Sequence, residues 1–226
     1  FTASFETPIG GRLTDELPDR SVVVLNTDTE VVVEYSRARR TLFLQRGEAH
    51  FEVAPDLDRP FEVHPAGGVV SAVGTAFNVP LGGAGRLEVT VTEGKVTLAP
   101  AAELARAAVP VPVTNVAAGE LAVLDPAYGE PEPRVLPLEA IDLDTKLAWQ
   151  RGMLIFRGEP LEDILREVSR YTTVRFELVE PELAQLRVGG YFRAGDVESL
   201  LAALRESLRI ESERLDGDRI ALHAAD

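Results

Sequence analysis

The sequence predicts a mixed fold: an all-β domain of twisted, mainly antiparallel strands over residues 1–144, then a small α+β domain over residues 145–226. Three observations carry this. Short apolar runs recur at roughly ten-residue spacing through residues 20–98. A proline- and acid-rich stretch follows them. Beyond Asp144 the apolar period changes from two to that of a helix.

In chain order, Ser21-Val22-Val23-Val24-Leu25, Glu30-Val31-Val32-Val33-Glu34-Tyr35 and Thr41-Leu42-Phe43-Leu44 are β-branched or aromatic runs. Phe51-Glu52-Val53, Phe61-Glu62-Val63 and Leu87-Glu88-Val89-Thr90-Val91 alternate apolar and polar residues. Turn formers separate them, among them Pro18-Asp19, Arg46-Gly47, Pro65-Ala66-Gly67-Gly68, Gly82-Gly83-Ala84-Gly85 and Glu93-Gly94-Lys95. Ala99 to Ala108 is alanine-rich, Glu120 to Leu124 reads as one more strand, and Gly129 to Leu138 reads as an extended linker. The domain boundary is expected near Asp144.

In the second part, Leu161, Ile164, Leu165 and Val168 fall at i, i+3, i+4 and i+7, one face of a helix. Pro160 stands near its first position, where a missing N–H costs least. Glu159, Glu162 and Asp163 sit on the favourable side of the macrodipole. A second helix follows the N-cap Asp196, with Leu200, Leu201, Leu204 and Leu208 as its apolar face. Met153–Phe156, Val174–Leu178, Arg187–Phe192 and Arg219–Leu222 read as strands, giving β-α-β-β-α-β with a further short strand near Ile210.

Composition narrows the function. The formal charge is −14; residues 1–144 carry 22 acids and 11 bases, residues 145–226 carry 15 and 12, so the parts net −11 and −3. Phosphate backbones and anionic lipid heads repel such a surface, so neither nucleic-acid binding nor direct membrane contact is expected. The chain has no cysteine, which excludes disulfides, zinc ribbons and a thiol nucleophile. No run of 18 apolar residues occurs, and no signal peptide is seen. The chain starts at Phe1 rather than Met, which points to a piece of a longer protein.

Four blocks resemble the periplasmic portion of FecR-type sigma-factor regulators. Leu17-Pro18-Asp19 with Ser21 to Asn26 matches the opening turn and strand; Arg46 to Ala54 followed by Arg59 to Val63 is the most distinctive block. Val73-Gly74-Thr75-Ala76-Phe77-Asn78-Val79 and Val91-Thr92-Glu93-Gly94-Lys95-Val96 complete the set. Trp149, Gly152, Leu154, Phe156, Pro160-Leu161 and Arg170-Tyr171 resemble the family's C-terminal module, itself similar to the short domain that opens secretins and TonB-dependent transducers. One departure stands out: Arg20 occupies a position where glycine is expected, so either the turn type differs or strain is tolerated.

The resemblance implies the periplasmic part of a single-pass inner-membrane protein. Its partners would be the signalling domain of an outer-membrane TonB-dependent transducer and, through a segment absent here, a cytoplasmic sigma factor. The transducer contact is expected in the C-terminal module, with Trp149, Leu161, Ile164, Leu165, Val168 and Tyr171 as candidate binding residues or, on the plainer reading, core. An edge strand there could also accept a partner strand. Some relatives self-cleave at the equivalent Gly-Thr bond, which makes Gly74 and Thr75 the candidate cleavage pair.

No other catalytic constellation is visible. His50, His64 and His223 are isolated in sequence, and no metal-ligand spacing or cofactor motif occurs. Strand alternation puts His50 and His64 at outward, polar positions, so surface or edge histidines are expected. Asp56 and Asp58 read as a solvated turn. No cofactor, metal or enzymatic turnover is expected. A β-rich module binding envelope glycan is the remaining alternative; it would need clustered exposed aromatics, and only 6% of residues are aromatic.

Overall fold

The structure, a computed structural model, describes residues 1–82, 86–100, 113–125 and 133–225. It divides into two compact units, Phe1–Pro8 with Arg12–Leu143 and Ile9–Gly11 with Asp144–Asp226.

The first unit is all β. One seven-stranded sheet runs in the order β1 (Thr2–Glu6), β4 (Glu30–Tyr35), β5 (Arg40–Arg46), β7 (Phe61–His64), β8 (Gly68–Ala72), β11 (Lys95–Pro100) and β12 (Thr114–Ala117). The other runs β14 (Arg134–Pro137), β13 (Glu120–Leu124), β10 (Leu87–Glu93), β9 (Ala76–Pro80), β6 (Glu48–Glu52), β3 (Val22–Leu25) and β2 (Leu13–Glu16). All described pairings here are antiparallel except β5 with β7, which are parallel because β6 crosses to the other sheet between them.

Alternation explains the core. Val23 and Leu25, Ala49 and Phe51, and Phe77 and Val79 line one inner face; Val31 and Val33, Leu42 and Leu44, and Phe61 and Val63 line the other. All belong to one buried cluster, and the Phe51 and Phe61 rings meet edge-on at 6.1 Å between the sheets. Each fully buried side chain of this kind contributes about 1.5–3 kcal/mol.

One expectation is corrected here. Within the described part of the expected linker, residues 133–138, Arg134–Pro137 form an edge strand paired with β13. Proline is tolerated there because an edge strand can lack a ladder donor. Residues 129–132 of that stretch, and most of the alanine-rich segment from Ala99 to Ala108, lie outside the described residues. A helix, α1 (Ala140–Leu147), spans Leu143 and Asp144, where the two units divide.

The second unit is α+β. β15 (Met153–Pro160) leads into α2 (Leu161–Val168), then β16 (Arg175–Leu178), β17 (Arg187–Arg193), α3 (Val197–Leu208), β18 (Ile210–Arg214) and β19 (Arg219–Ala224). β15 pairs antiparallel with β17; β16, β19 and β18 form a three-stranded sheet in that order. Pro160 (φ −58°) opens α2 in extended backbone, and the Asp196 carboxylate caps α3 by accepting from the Ser199 N–H at 3.1 Å. Among the described residues no helix is long and apolar enough to cross a membrane.

Candidate functional site

The four sequence blocks converge on the second sheet of the β unit. Asn26 directly follows β3, Glu48 opens β6 and Asn78 sits in β9. The Glu48 carboxylate accepts from Asn26 Nδ2 at 2.8 Å and from Asn78 Nδ2 at 2.9 Å, all three residues being buried. A buried carboxylate is costly unless hydrogen-bonded, and two amides supply those bonds. This triad escaped the sequence reading. Its only signal is a polar residue inside each of three apolar blocks.

The opening turn is fastened separately. Leu17-Pro18-Asp19-Arg20 closes through the Arg20 N–H donating to Leu17 O at 2.8 Å, and Arg20 has φ +69°. The loop joining β2 to β3 therefore keeps the conformation in which glycine is preferred and tolerates arginine at a left-handed position. The Asp19 carboxylate accepts from Ser21 Oγ (2.7 Å), Tyr35 Oη (3.1 Å) and Arg40 Nη1 (2.6 Å). Arg40 is fully buried and also donates to the carbonyls of Ala54, Arg59 and Asp56. Burial alone would raise the Asp19 pKa; the bonds from Ser21, Arg40 and Tyr35 outweigh it and hold it below the usual carboxylate value. Burial and the Asp19 charge push the Tyr35 phenol well up.

Beside this turn lies a cleft of about 590 Å³ lined by Arg20, His50, Glu52, Gly74, Thr75 and Glu93 with their neighbours. Gly74 has φ +62°, and a Cβ there would stand 3.2 Å from Pro55 Cγ. Gly94, φ +74° in the β10–β11 turn, lies so close that its Cβ would meet Thr75 Cγ2 at 2.8 Å and Gly74 O at 3.1 Å. A side chain is strained at both positions, and at Gly94 it would also clash. The Thr75 carbonyl accepts from the Val53 N–H at 2.8 Å, while its hydroxyl is buried with no hydrogen-bond partner among the described residues.

His50 corrects the surface expectation. It is 4% exposed. It does point away from the sandwich core, as alternation requires, but β6 lies between β3 and β9 and its cross-strand neighbours Val24 and Asn78 are also buried. Burial lowers its pKa to about 4, against the opposing pull of the Glu48 charge, so the ring is neutral at neutral pH. Its Nδ1 has no hydrogen-bond partner among the described residues. His64 is half-buried, its ring 5.3 Å from that of Phe43. The Asp56 carboxylate accepts from the backbone of Asp58 and Arg59, which closes a turn on its own chain. Among the described residues no three His, Asp or Glu side chains gather where a metal could sit.

In the α+β unit, the structure buries all six candidate binding residues: Trp149, Leu161, Ile164, Leu165, Val168 and Tyr171. The α2 stripe packs toward the unit's own core, and only the main-chain edges and other side chains remain for a partner. The exposed aromatics among the described residues are Phe1 and Tyr191, one in each unit, so the cluster that glycan binding would need is not formed by them.

Comparison with known proteins follows the same division. The family model described as FecR protein matches residues 3–97, and the one described as FecR, C-terminal matches residues 153–222. Two crystal structures of a candidate anti-sigma factor from Parabacteroides distasonis share the fold. One, at 2.50 Å, is 23% identical with a TM-score of 0.75, covering 100% of both chains. The other, at 1.65 Å, is 24% identical with a TM-score of 0.75, covering 99% of this chain and 100% of that one. No curated protein matches the chain.

Proposed function

The chain belongs to the FecR family, and from that premise we propose that it is the periplasmic signalling region of a transmembrane sigma-factor regulator. It would bind the signalling domain of an outer-membrane TonB-dependent transducer and relay its state to a cytoplasmic ECF-type sigma factor. The observation that supports this reading is the order of the two family matches, one on the β sandwich and one on the α+β unit. A relay of this kind needs no turnover. It needs the chain to bind two states of the transducer with different affinity. Calorimetric titration of the chain with the signalling domain of the transducer encoded beside its gene tests it. Saturable one-to-one binding is expected, and absence of heat and of complex at tens of micromolar overturns it.

A second reading, self-cleavage between Gly74 and Thr75, is favoured by one observation: the Thr75 hydroxyl is buried, without a hydrogen-bond partner among the described residues, and next to a glycine at positive φ. The Thr75 Oγ would attack the Gly74 carbonyl carbon. The C–N bond then breaks as the ester C–O bond forms, and the hydroxyl proton ends on the freed Thr75 amine. Water hydrolyses the ester, leaving a Gly74 carboxylate and restoring the hydroxyl. Intact mass of fresh and aged protein decides. Fragments 1–74 and 75–226, lost in Thr75→Ala, support cleavage; a single stable full-length species refutes it.

A further inference from the structure

The β15–β17 pair carries a face whose chemistry differs from the rest of this acidic chain. On β17 Arg187, Gly189, Tyr191 and Arg193 stand at exposed positions of one face, while Val188 and Phe192 are buried on the other. The register sets Gly189 opposite Arg157 and Tyr191 opposite Ile155. Tyr191 is 68% exposed, the most exposed aromatic among the described residues. Arg157, Arg187 and Arg193 are all exposed, and none closes a salt bridge with a carboxylate among the described residues. Arg187 donates to Gly158 O at 3.0 Å and Arg157 to Thr145 Oγ1 at 2.9 Å, so both are held in place with donors to spare. The Arg193 charge is felt by Asp196, which is occupied as the α3 cap.

We propose that this face is the docking surface for an acidic, extended segment of the partner protein. The proposal rests on the reading of this chain as a transducer-binding regulator and names the surface and the partner's chemistry. Arg187 and Arg193 lie six residues apart on one strand, about 20 Å at the usual rise. They can therefore pair with carboxylates at two ends of an extended segment while Tyr191 takes its middle. Gly189 adds no side chain there, which leaves the Arg157 guanidinium reachable from the same side. Tyrosine and arginine are the residues that dominate interface energetics, and the guanidinium fork matches carboxylate geometry.

Charge selects the kind of partner. An anionic membrane would confront the whole molecule, with its net −14. A protein segment confronts only this face, because exposed charges farther than about 10 Å are largely screened at 0.1 M salt. The burial of the α2 stripe points the same way, since it removes the apolar alternative on that helix.

The test titrates the full chain and its variants with the signalling domain of the neighbouring transducer at two salt concentrations. Tyr191→Ala and the double variant Arg187→Glu/Arg193→Glu are each expected to weaken binding tenfold or more, the latter with a shallower salt dependence. Arg175→Glu, an exposed reversal on β16, should stay within twofold of the parent. Unchanged circular dichroism and melting temperature show that the exposed substitutions leave the fold intact. Parent-like binding by both variants overturns the docking face while the transducer reading stands. No binding by the parent chain overturns that reading and the docking face with it. Parent binding to phosphatidylglycerol vesicles that these variants lose, with transducer binding unchanged, assigns the face to lipid and also overturns it.

Discussion

Protonating His50 should unfasten the β sandwich. The native ring is held neutral down to a pKa of about 4, whereas the unfolded ring titrates near 6.5. Between those values the unfolded state binds a proton that the native state refuses, so stability rises with pH. The contribution is complete above pH 6.5 and is lost progressively as pH falls towards 4. One pKa unit corresponds to 1.36 kcal/mol, so the full loss is about 3 kcal/mol, accumulating at up to about 1.4 kcal/mol per pH unit. Asp19, held below its usual value, adds its own loss at lower pH in any chain that keeps it. Subtracting a His50→Gln variant cancels that contribution. The assay is urea unfolding of parent and variant at pH 7.5, 6.0 and 5.0 and constant ionic strength. Far-ultraviolet circular dichroism follows the strands, because Trp149 fluorescence would report the other unit. The difference between the two stability curves should shrink by 1–2 kcal/mol on acidification. Parallel curves, or His50 ring resonances that titrate near 6.5, would refute the reasoning.

Four substitutions probe the remaining arguments. Asp19→Ala leaves the fully buried Arg40 guanidinium without its carboxylate and should cost about 3–5 kcal/mol in denaturant unfolding. Arg20→Gly relieves the left-handed strain in the opening turn and should raise stability by about 1 kcal/mol, visible as a higher melting temperature. Gly94→Ala drives a methyl group into Thr75 from a positive-φ position and should destabilise by about 1–3 kcal/mol. Ile164→Ala empties part of the α2 core and should cost about 2–5 kcal/mol, while folded protein binds the transducer domain with parent-like affinity.

How much was legible in the sequence depends on how locally each feature is encoded. The helix α2 was readable because Pro160, the first-turn acids and four apolar residues at helical spacing all point to one element. Strands β3, β4 and β5 were readable from β-branched runs. Strand β1, Thr2-Ala3-Ser4-Phe5-Glu6, was not, because an edge strand with one half-exposed face carries few apolar residues. Strand β8 hid behind the Gly67-Gly68 pair, which reads as a turn although Gly68 is the first residue of the strand. Strand β14 hid behind its prolines. The cleft was half legible. Gly74 and Thr75 came from the family resemblance, whereas the burial of His50 depends on which strands flank β6, a non-local fact that period-two alternation does not contain.

The residues that make the family recognisable are therefore mostly residues that hold the sandwich together. Asn26, Glu48 and Asn78 tie three strands through one carboxylate, and Gly94 closes on Thr75. A fastening of this kind works whatever the partner is. Discriminating one partner from another requires a difference in affinity, and such a difference has to be written in side chains that the partner touches. Buried amides and glycines cannot supply it, nor can the covered α2 stripe. The exposed face of Arg157, Arg187, Tyr191 and Arg193 can, because each of those side chains can change without disturbing a core. It follows that swapping this face for that of a relative should move partner preference while leaving stability within about 1 kcal/mol, as exposed substitutions usually do. A swap within the Glu48 triad should do the reverse, lowering stability while leaving preference as it was.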